Sequence, residues 1–328
     1  MSEMNAILPV SNLVWGPTER PKPGPGEVRI RVHATAVNRA DLVQQAGAYP
    51  PPPGASQILG LEAAGTIDAI GPGVTTRRIG DRVAALLSGG GYAEYAVCPA
   101  SHTLLVPSST PLSTAGALVE TLTTAFLNLK MEASLQPGER VLVHAGASGV
   151  GTFAIQLCKA WGNPVWVTVG SDAKGAICET LGADGFSNRH DGPWLPDVKA
   201  WSGSSGVDVI LDPVGATYLD GNQRALARRG RLVLIGLMGG RSATVDLGRL
   251  LVHRQQILGS VLRSRSTEEK SSILTRVRRE VWDWCFDGTL QPQIHQTMSL
   301  TDAASAHALV ASNQTVGKVV LEVPGVRE

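Results

Sequence analysis

The sequence predicts an α/β protein of two domains, a β-rich one and one built on a doubly wound parallel sheet. Three observations carry that prediction. The first third alternates apolar and polar residues in short runs broken by Gly and Pro, as half-buried strands do. Near Ser113 the texture changes, and apolar strands begin to alternate with helices, the signature of a parallel sheet covered on both faces. One strand then turns into a helix through Gly146, Gly149 and Gly151. At 328 residues the chain is long enough for two domains, each typically of roughly 100–200 residues.

The elements follow in order. After the turn-forming Pro21–Gly26, residues 27–34 alternate with period 2. Further strands are expected at Ala63–Ile70, Arg82–Leu87 and Tyr92–Val97, bounded by Gly71–Gly73, Gly80-Asp81 and Gly89–Gly91. Together they suggest a twisted, barrel-like domain. Thr114–Met131 carries Ala, Leu and Phe at helical spacing. Strand Val141–His144, helix Val150–Trp161 and strand Val165–Val169 come next. A helix Ala173–Leu181 ends at Gly182, and strands follow at Asp208–Leu211 and Arg231–Ile235. Helices at Ser272–Phe286 and Asp302–Ser312 and a strand at Lys318–Val323 finish the chain.

Composition excludes several classes. A net charge of +1 and an aromatic content of 5% leave neither a basic field for nucleic acid or an anionic membrane nor a base-stacking surface. No stretch reaches the roughly 18 apolar residues of a membrane span, and Met1–Val10 lacks the pattern of a signal peptide. Cys98, Cys158, Cys178 and Cys285 are scattered, without paired metal spacing, so reduced thiols in a cytoplasm are expected.

The stretch Val141–Gly151 runs out of a strand into a helix whose first N–H groups are unpaired. Gly146, Ala147, Ser148, Gly149, Val150 and Gly151 would let a pyrophosphate approach the backbone and the positive end of the helix. The competing reading is an ordinary turn between strand and helix. Ser148 stands where the G-x-G-x-x-G pattern has its middle glycine, and its hydroxyl is a further donor for phosphate. An NAD site places a carboxylate at the end of the second strand. Here the strand ends Val169-Gly170-Ser171, with Lys174 in the next helix and Arg189 after the third strand, which favours NADPH. Asp172 is the contrary residue, read instead as the cap of the following helix.

The chain resembles the zinc-independent quinone oxidoreductases of the medium-chain dehydrogenase/reductase superfamily, most closely the p53-inducible type. The resemblance rests on Asn38–Asp41, Pro51–Ser56, Ile58–Glu62, Gly80-Asp81, Gly89–Gly91, His144–Gly151, Gly236–Gly240 and Leu262–Arg265, in that order along nearly the whole chain. It implies a GroES-like catalytic domain from residues 1–118 and 263–328, with a Rossmann NADPH-binding domain, 119–262, inserted between. It further implies that Ser148, Gly149 and Val150 meet the pyrophosphate and that Ser171, Lys174, Asn188 and Arg189 surround the 2′-phosphate. Family members often carry a tyrosine at the position of Asn188. Thr124, Leu237 and Met238 would border the nicotinamide, with Gly236 beside them, and Asp212–Gly215, Val214 included, would lie along the adenosine half. A dimer, or a tetramer, paired through residues 242–260 is also implied.

Zinc-dependent relatives place a cysteine near Asn38 and a histidine where this chain has Leu61, in Gly60-Leu61-Glu62. Without thiolate and imidazole no tetrahedral zinc site is expected. An electron-poor acceptor that needs no Lewis acid is therefore expected, a quinone first and an enone or enoyl double bond second. A non-catalytic NADPH-binding protein is the third alternative. Tyr49 is the candidate donor to the reduced oxygen, and Asn38 and Asp41 are candidate pocket residues. Asn38 and Asp41 read equally well as caps of a helix starting near Arg39. Glu62 is expected to hold an arginine and order the pocket, and His144, Trp282, Trp284 and the Arg276–Arg279 cluster are read as structural.

Overall fold

A computed structural model describes residues 3–8 and 12–326. The expectation for Met1–Val10 falls partly outside the described residues. Two compact units are present: Met1–Thr123, Leu262–Gly288 and Pro292–Glu328 form the first, and Thr124–Val261 with Thr289–Gln291 the second.

The first unit opens with an antiparallel pair, β1 (Glu3–Ile7) and β2 (Trp15–Glu19), then β3 (Glu27–Ala36) and helix α1 (Arg39–Gln45). Next come β4 (Glu62–Ile70), β5 (Arg82–Leu86), β6 (Tyr95–Pro99) and β7 (Thr103–Leu105), then α2 (Leu112–Ala115) and the start of α3 (Val119–Phe126). The expected strand Tyr92–Val97 thus begins at Tyr95. Tyr92 is instead a core residue whose hydroxyl reaches His307 Nε2 at 3.1 Å. The single helix expected over Thr114–Met131 is broken. Gly116 caps α2 where the chain turns toward α3, and a Cβ there would come within 3.0–3.1 Å of Ala34 on β3. A π-helical turn, Leu127–Glu132, follows α3.

The second unit contains β8 (Val141–Val143), α4 (Gly149–Trp161), β9 (Val165–Val169), α5 (Asp172–Thr180), β10 (Gly185–Asn188) and α6 (Leu195–Ser202). It continues through β11 (Val207–Asp212), α7 (Leu219–Ala225), β12 (Leu226–Leu234), α8 (Leu247–His253) and β13 (Gln256–Gly259). The six strands are parallel in the order β10-β9-β8-β11-β12-β13. The order reverses at β8, so ligands of such a sheet are expected beyond the carboxyl ends of β8 and its neighbours. Its apolar strands bury Leu142, Ile210 and Leu232 against α6 and α7, as a sheet covered by helices requires.

The chain then returns to the first unit with α9 (Thr267–Glu280), β14 (Ile294–Ser299), α10 (Ala303–Ala311) and β15 (Lys318–Glu322). β15 pairs with β3, completing the sheet β14-β15-β3-β4-β5-β7, with β6 also on β3. Its core gathers Ile30, Val32, Ile67 and Val83 with Val319 and Leu321 from the far end of the sequence. No helix among the described residues is long and apolar enough to cross a membrane.

Candidate active site

In the second unit, the turn after β8 packs tightly. A Cβ on Gly146 would lie 2.5 Å from the Val167 side chain, and one on Gly151 would lie 2.4 Å from the Gly146 carbonyl. Glycine is therefore required to seat α4 against β8 and β9. Ser148 is the N-cap of α4, and its Oγ accepts from the Gly151 N–H at 3.1 Å. That bond leaves the hydroxyl hydrogen free to donate. Val150 occupies the first turn of this 13-residue helix, whose N–H groups and dipole favour an anion.

At the end of β9 the cap of α5 is Ser171, whose Oγ accepts from Lys174 N at 3.4 Å. Asp172 is not the cap, contrary to the sequence expectation. It is the first helical residue, and its Oδ1 accepts from Asn188 Nδ2 at 3.0 Å. Asn188 is thereby committed to Asp172. The Arg189 guanidinium lies against Gly170, 3.1–3.2 Å from where a Cβ would stand. Burial and the nearby Arg189 charge both lower the Lys174 pKa from its ordinary value. Two mutually repelling cations thus sit at the end of β9, where an NAD site would carry an acid.

Beyond β11, the buried Asp212 carboxylate accepts from the N–H groups of Val214 (2.6 Å) and Gly215 (3.2 Å) and from Asn222 Nδ2 (2.8 Å). Val214 is fixed in its loop by this bond. After β12, Gly236 has no room for a Cβ, which would lie 2.8 Å from the Pro213 carbonyl. Leu237 and Met238 follow, 55% and 53% exposed; apolar side chains so placed suit the face of a ring. Thr124, partly exposed on α3, accepts through its carbonyl from Asn128 Nδ2 at 2.8 Å. His144 is a satisfied core histidine, bonded to Thr168 Oγ1 and Asn222 Oδ1.

In the first unit, Asn38, Asp41, Glu62, Glu120 and Lys318 come together from α1, β4, α3 and β15 or their ends. Glu62 does not hold an arginine; its Oε1 lies 2.8 Å from Lys318 Nζ and 3.0 Å from Asn38 Nδ2. Its Oε2 accepts from the Glu120 N–H at 3.1 Å. Lys318 Nζ also donates to Asn38 Oδ1 at 2.6 Å and to the Val37 carbonyl at 3.1 Å. Asn38 is the N-cap of α1 and forms a capping box with Asp41, while its amide also bridges Glu62 and Lys318. Asp41 closes the helix start by accepting from Asn38 N at 2.8 Å, and its other oxygen accepts from Gly60 N at 3.0 Å. It is wholly buried, with both oxygens bonded to backbone N–H groups. Burial pushes its carboxyl up to about 6 despite those two bonds.

Tyr49, half-buried, faces the Arg263 guanidinium at 5.3 Å from its ring centre. Arg263 donates to the Tyr49 carbonyl (3.3 Å), the Ser88 carbonyl (2.9 Å) and Gln44 Oε1 (2.7 Å), and Lys270 donates to Ser88 Oγ (2.7 Å). Burial raises the Tyr49 pKa, opposed by the Arg263 charge and aided by Glu120, so its hydroxyl keeps its proton and is able to donate a hydrogen bond. Sequence reasoning did not select Lys318, Glu120 or Arg263 for the site. Arg263 was legible within the motif Leu262–Arg265; Lys318 reads as any strand lysine until β15 is seen beside β3.

The donors near Asn38 do not fit zinc. Where zinc-dependent relatives carry a thiolate and an imidazole, this chain has the Asn38 amide, bonded to the Lys318 ammonium, and Leu61.

Comparison with known proteins decides the family. Residues 24–108 match the alcohol dehydrogenase GroES-like domain and residues 149–277 the zinc-binding dehydrogenase family model. A 2-haloacrylate reductase from Burkholderia sp. is 30% identical over 94% of this chain and 95% of its own. The chain belongs to the medium-chain dehydrogenase/reductase superfamily. As a medium-chain oxidoreductase it is similar in structure to a quinone oxidoreductase from Pseudomonas syringae pv. Tomato DC3000. The TM-score is 0.86, with 29% identity over 98% of this chain and 99% of that one. A mycobacterial structure complexed with NADPH aligns with a TM-score of 0.85 and 31% identity, over 98% of this chain and 100% of that one. Binding of a nicotinamide cofactor is expected of this family.

Proposed function

We propose that this protein is a zinc-independent, NADPH-dependent quinone oxidoreductase of the p53-inducible type. The observation that carries the cofactor preference is the Arg189 guanidinium laid against Gly170 beside Lys174, with Asp172 turned away to Asn188. Two cations in that position favour a dianionic 2′-phosphate over a free ribose hydroxyl. When bound, the reduced nicotinamide supplies a hydride to an electron-poor carbon or oxygen. The chain's own residues bind and orient. Ser148, Gly149 and Val150 receive the pyrophosphate, while Gly236, Leu237 and Met238 border the ring. Tyr49 donates a hydrogen bond to the acceptor oxygen and Arg263 holds Tyr49 in place, an effect of orientation and charge.

A donor set unsuited to zinc favours acceptors that need no Lewis acid, and quinones meet that requirement because the product is aromatic. The second reading, reduction of an activated carbon–carbon double bond, is favoured by the likeness to a 2-haloacrylate reductase. In solution the protein forms a homodimer, or a tetramer of such pairs, through the edge strand β13 and the exposed Leu247, Leu251 and Val252 of α8. A cytoplasmic location fits four unpaired cysteines. The test is NADPH consumption with a panel of ortho- and para-quinones beside enones and 2-haloacrylate. Turnover of the quinones supports the assignment, turnover of only the double bonds moves it to the second reading, and tight NADPH binding without turnover refutes both.

A further inference from the structure

We propose that Glu120 is the proton donor to the reduced acceptor, with Tyr49 only orienting it. Three buried or half-buried carboxyls share one region of the first unit, and they differ in how they are satisfied. Asp41 accepts from two backbone N–H groups. Glu62 takes the ammonium of Lys318, the Asn38 amide and the Glu120 N–H. The Glu120 side chain has neither a hydrogen bond nor an ion pair among the described residues, and it keeps part of its surface open. A carboxyl without a partner beside a carboxylate holds its proton at neutral pH. Burial first and the charge of Glu62 second push it up to about 8, with Asp41 adding to the rise. Lys318 and Lys270 oppose that rise and do not overcome it. The start of α3, which ordinarily favours the charged form, is outweighed as well.

Hydrogen bonds place Glu120 at the Asn38 cluster: its N–H donates to Glu62 Oε2 at 3.1 Å, and the other oxygen of Glu62 accepts from Asn38 Nδ2 at 3.0 Å. Its charge also bears on Tyr49 on the loop after α1, on Arg263 and on Lys270 of α9. Lys318 on β15 pairs directly with Glu62, which leaves Glu120 as the carboxyl without a cation of its own. A quinone that has accepted a hydride with its electron pair from reduced nicotinamide carries one oxyanion. The O–H bond of Glu120 breaks, an O–H bond forms on that oxygen, and the electron pair stays on the Glu120 carboxylate. Water then returns the proton.

The inference rests on the reductase reading, and the experiment separates the two. Infrared difference titration of the protein without cofactor should show a protonated carboxyl band disappearing near pH 8, absent from Glu120→Gln. Glu120→Gln should lower acceptor reduction by ~100-fold or more, the usual worth of a positioned general acid, with unchanged NADPH affinity. The fall in rate near pH 8 should disappear with it, and Glu120→Asp, which keeps an acid, should recover part of the rate. Wild-type rates and pH profile in Glu120→Gln, or a Glu120 carboxylate already ionised at pH 7, would overturn the proton-donor role alone. Absence of turnover by the wild-type protein with every acceptor overturns the reductase reading itself. If Glu120→Gln does not fold, the infrared titration and Glu120→Asp decide.

Discussion

Lys318 Nζ and Glu62 Oε1 lie 2.8 Å apart with both side chains closed to solvent, joining β15 near the end of the sequence to β4. Desolvating two charges offsets much of their attraction, but removing one partner strands the other. Lys318→Met should therefore lower unfolding free energy by ~3–5 kcal/mol, read by urea titration. Adding Glu62→Leu should restore a large part of it. A Lys318→Met protein as stable as wild type would show that the pair does not hold this frame.

At the cofactor end the proposed preference for NADPH rests on the Gly170–Arg189 contact. Gly170→Asp should both crowd the guanidinium and supply the acid an NAD site uses, moving selectivity from NADPH toward NADH. Lys174→Ala should weaken NADPH about 10- to 100-fold, the worth of one or two charged hydrogen bonds, and leave NADH nearly unchanged. Comparison of dissociation constants by fluorescence quenching reads both; equal losses for the two cofactors would remove Lys174 from the 2′-phosphate site.

Ser148→Val should abolish cofactor binding. The branched side chain removes the cap to Gly151, a loss of ~1 kcal/mol in stability, and fills the space for the pyrophosphate. Calorimetric titration with NADPH is the check. Affinity equal to wild type would show that this turn does not bind the cofactor.

Stability should fall as pH rises from about 6.5 to 8. Glu120, pushed up to about 8, holds a proton in the folded state that the unfolded chain has already released. The native state then binds more protons, so unfolding free energy decreases with pH. Its stabilising share is complete below the unfolded carboxyl range and lost as pH passes about 8. Asp41, at about 6, behaves alike over a lower window. His307, lowered to about 4 by burial, works in the opposite sense below pH 6.5 and is silent above it. Over pH 6.5–8 the drop should be roughly 2 kcal/mol, one proton's worth per unit, and Glu120→Gln should flatten it in urea titrations. An equally steep fall in that variant would assign the slope to another group.

The parallel sheet was legible because its strands are continuous apolar runs between helices, and β9 falls at Val165–Val169 as its pattern predicts. Ser148 and Gly151 were legible because a tight strand-to-helix turn admits few residue types. The capping of α5 was not legible: Ser171 and Asp172 are both good caps, and what separates them is that Ser171 Oγ accepts from Lys174 N while Asp172 accepts from Asn188 on β10. The charge cluster was hidden for a different reason. Lys318 and Asn38 stand 280 positions apart, and no local pattern records that β15 adds to β3. Glu120 lies on a helix face that sequence alone cannot distinguish from a solvated one.

Anaerobic stopped-flow oxidation of NADPH, and separately of NADH, by the wild-type protein with a para-quinone tests the central claim most directly. The predicted result is stoichiometric NADPH consumption and quinone reduction, with NADH at least ~10-fold slower at equal concentration, as charged contacts to the 2′-phosphate demand. Equal rates with the two cofactors, or no oxidation of bound NADPH by any acceptor, would contradict it.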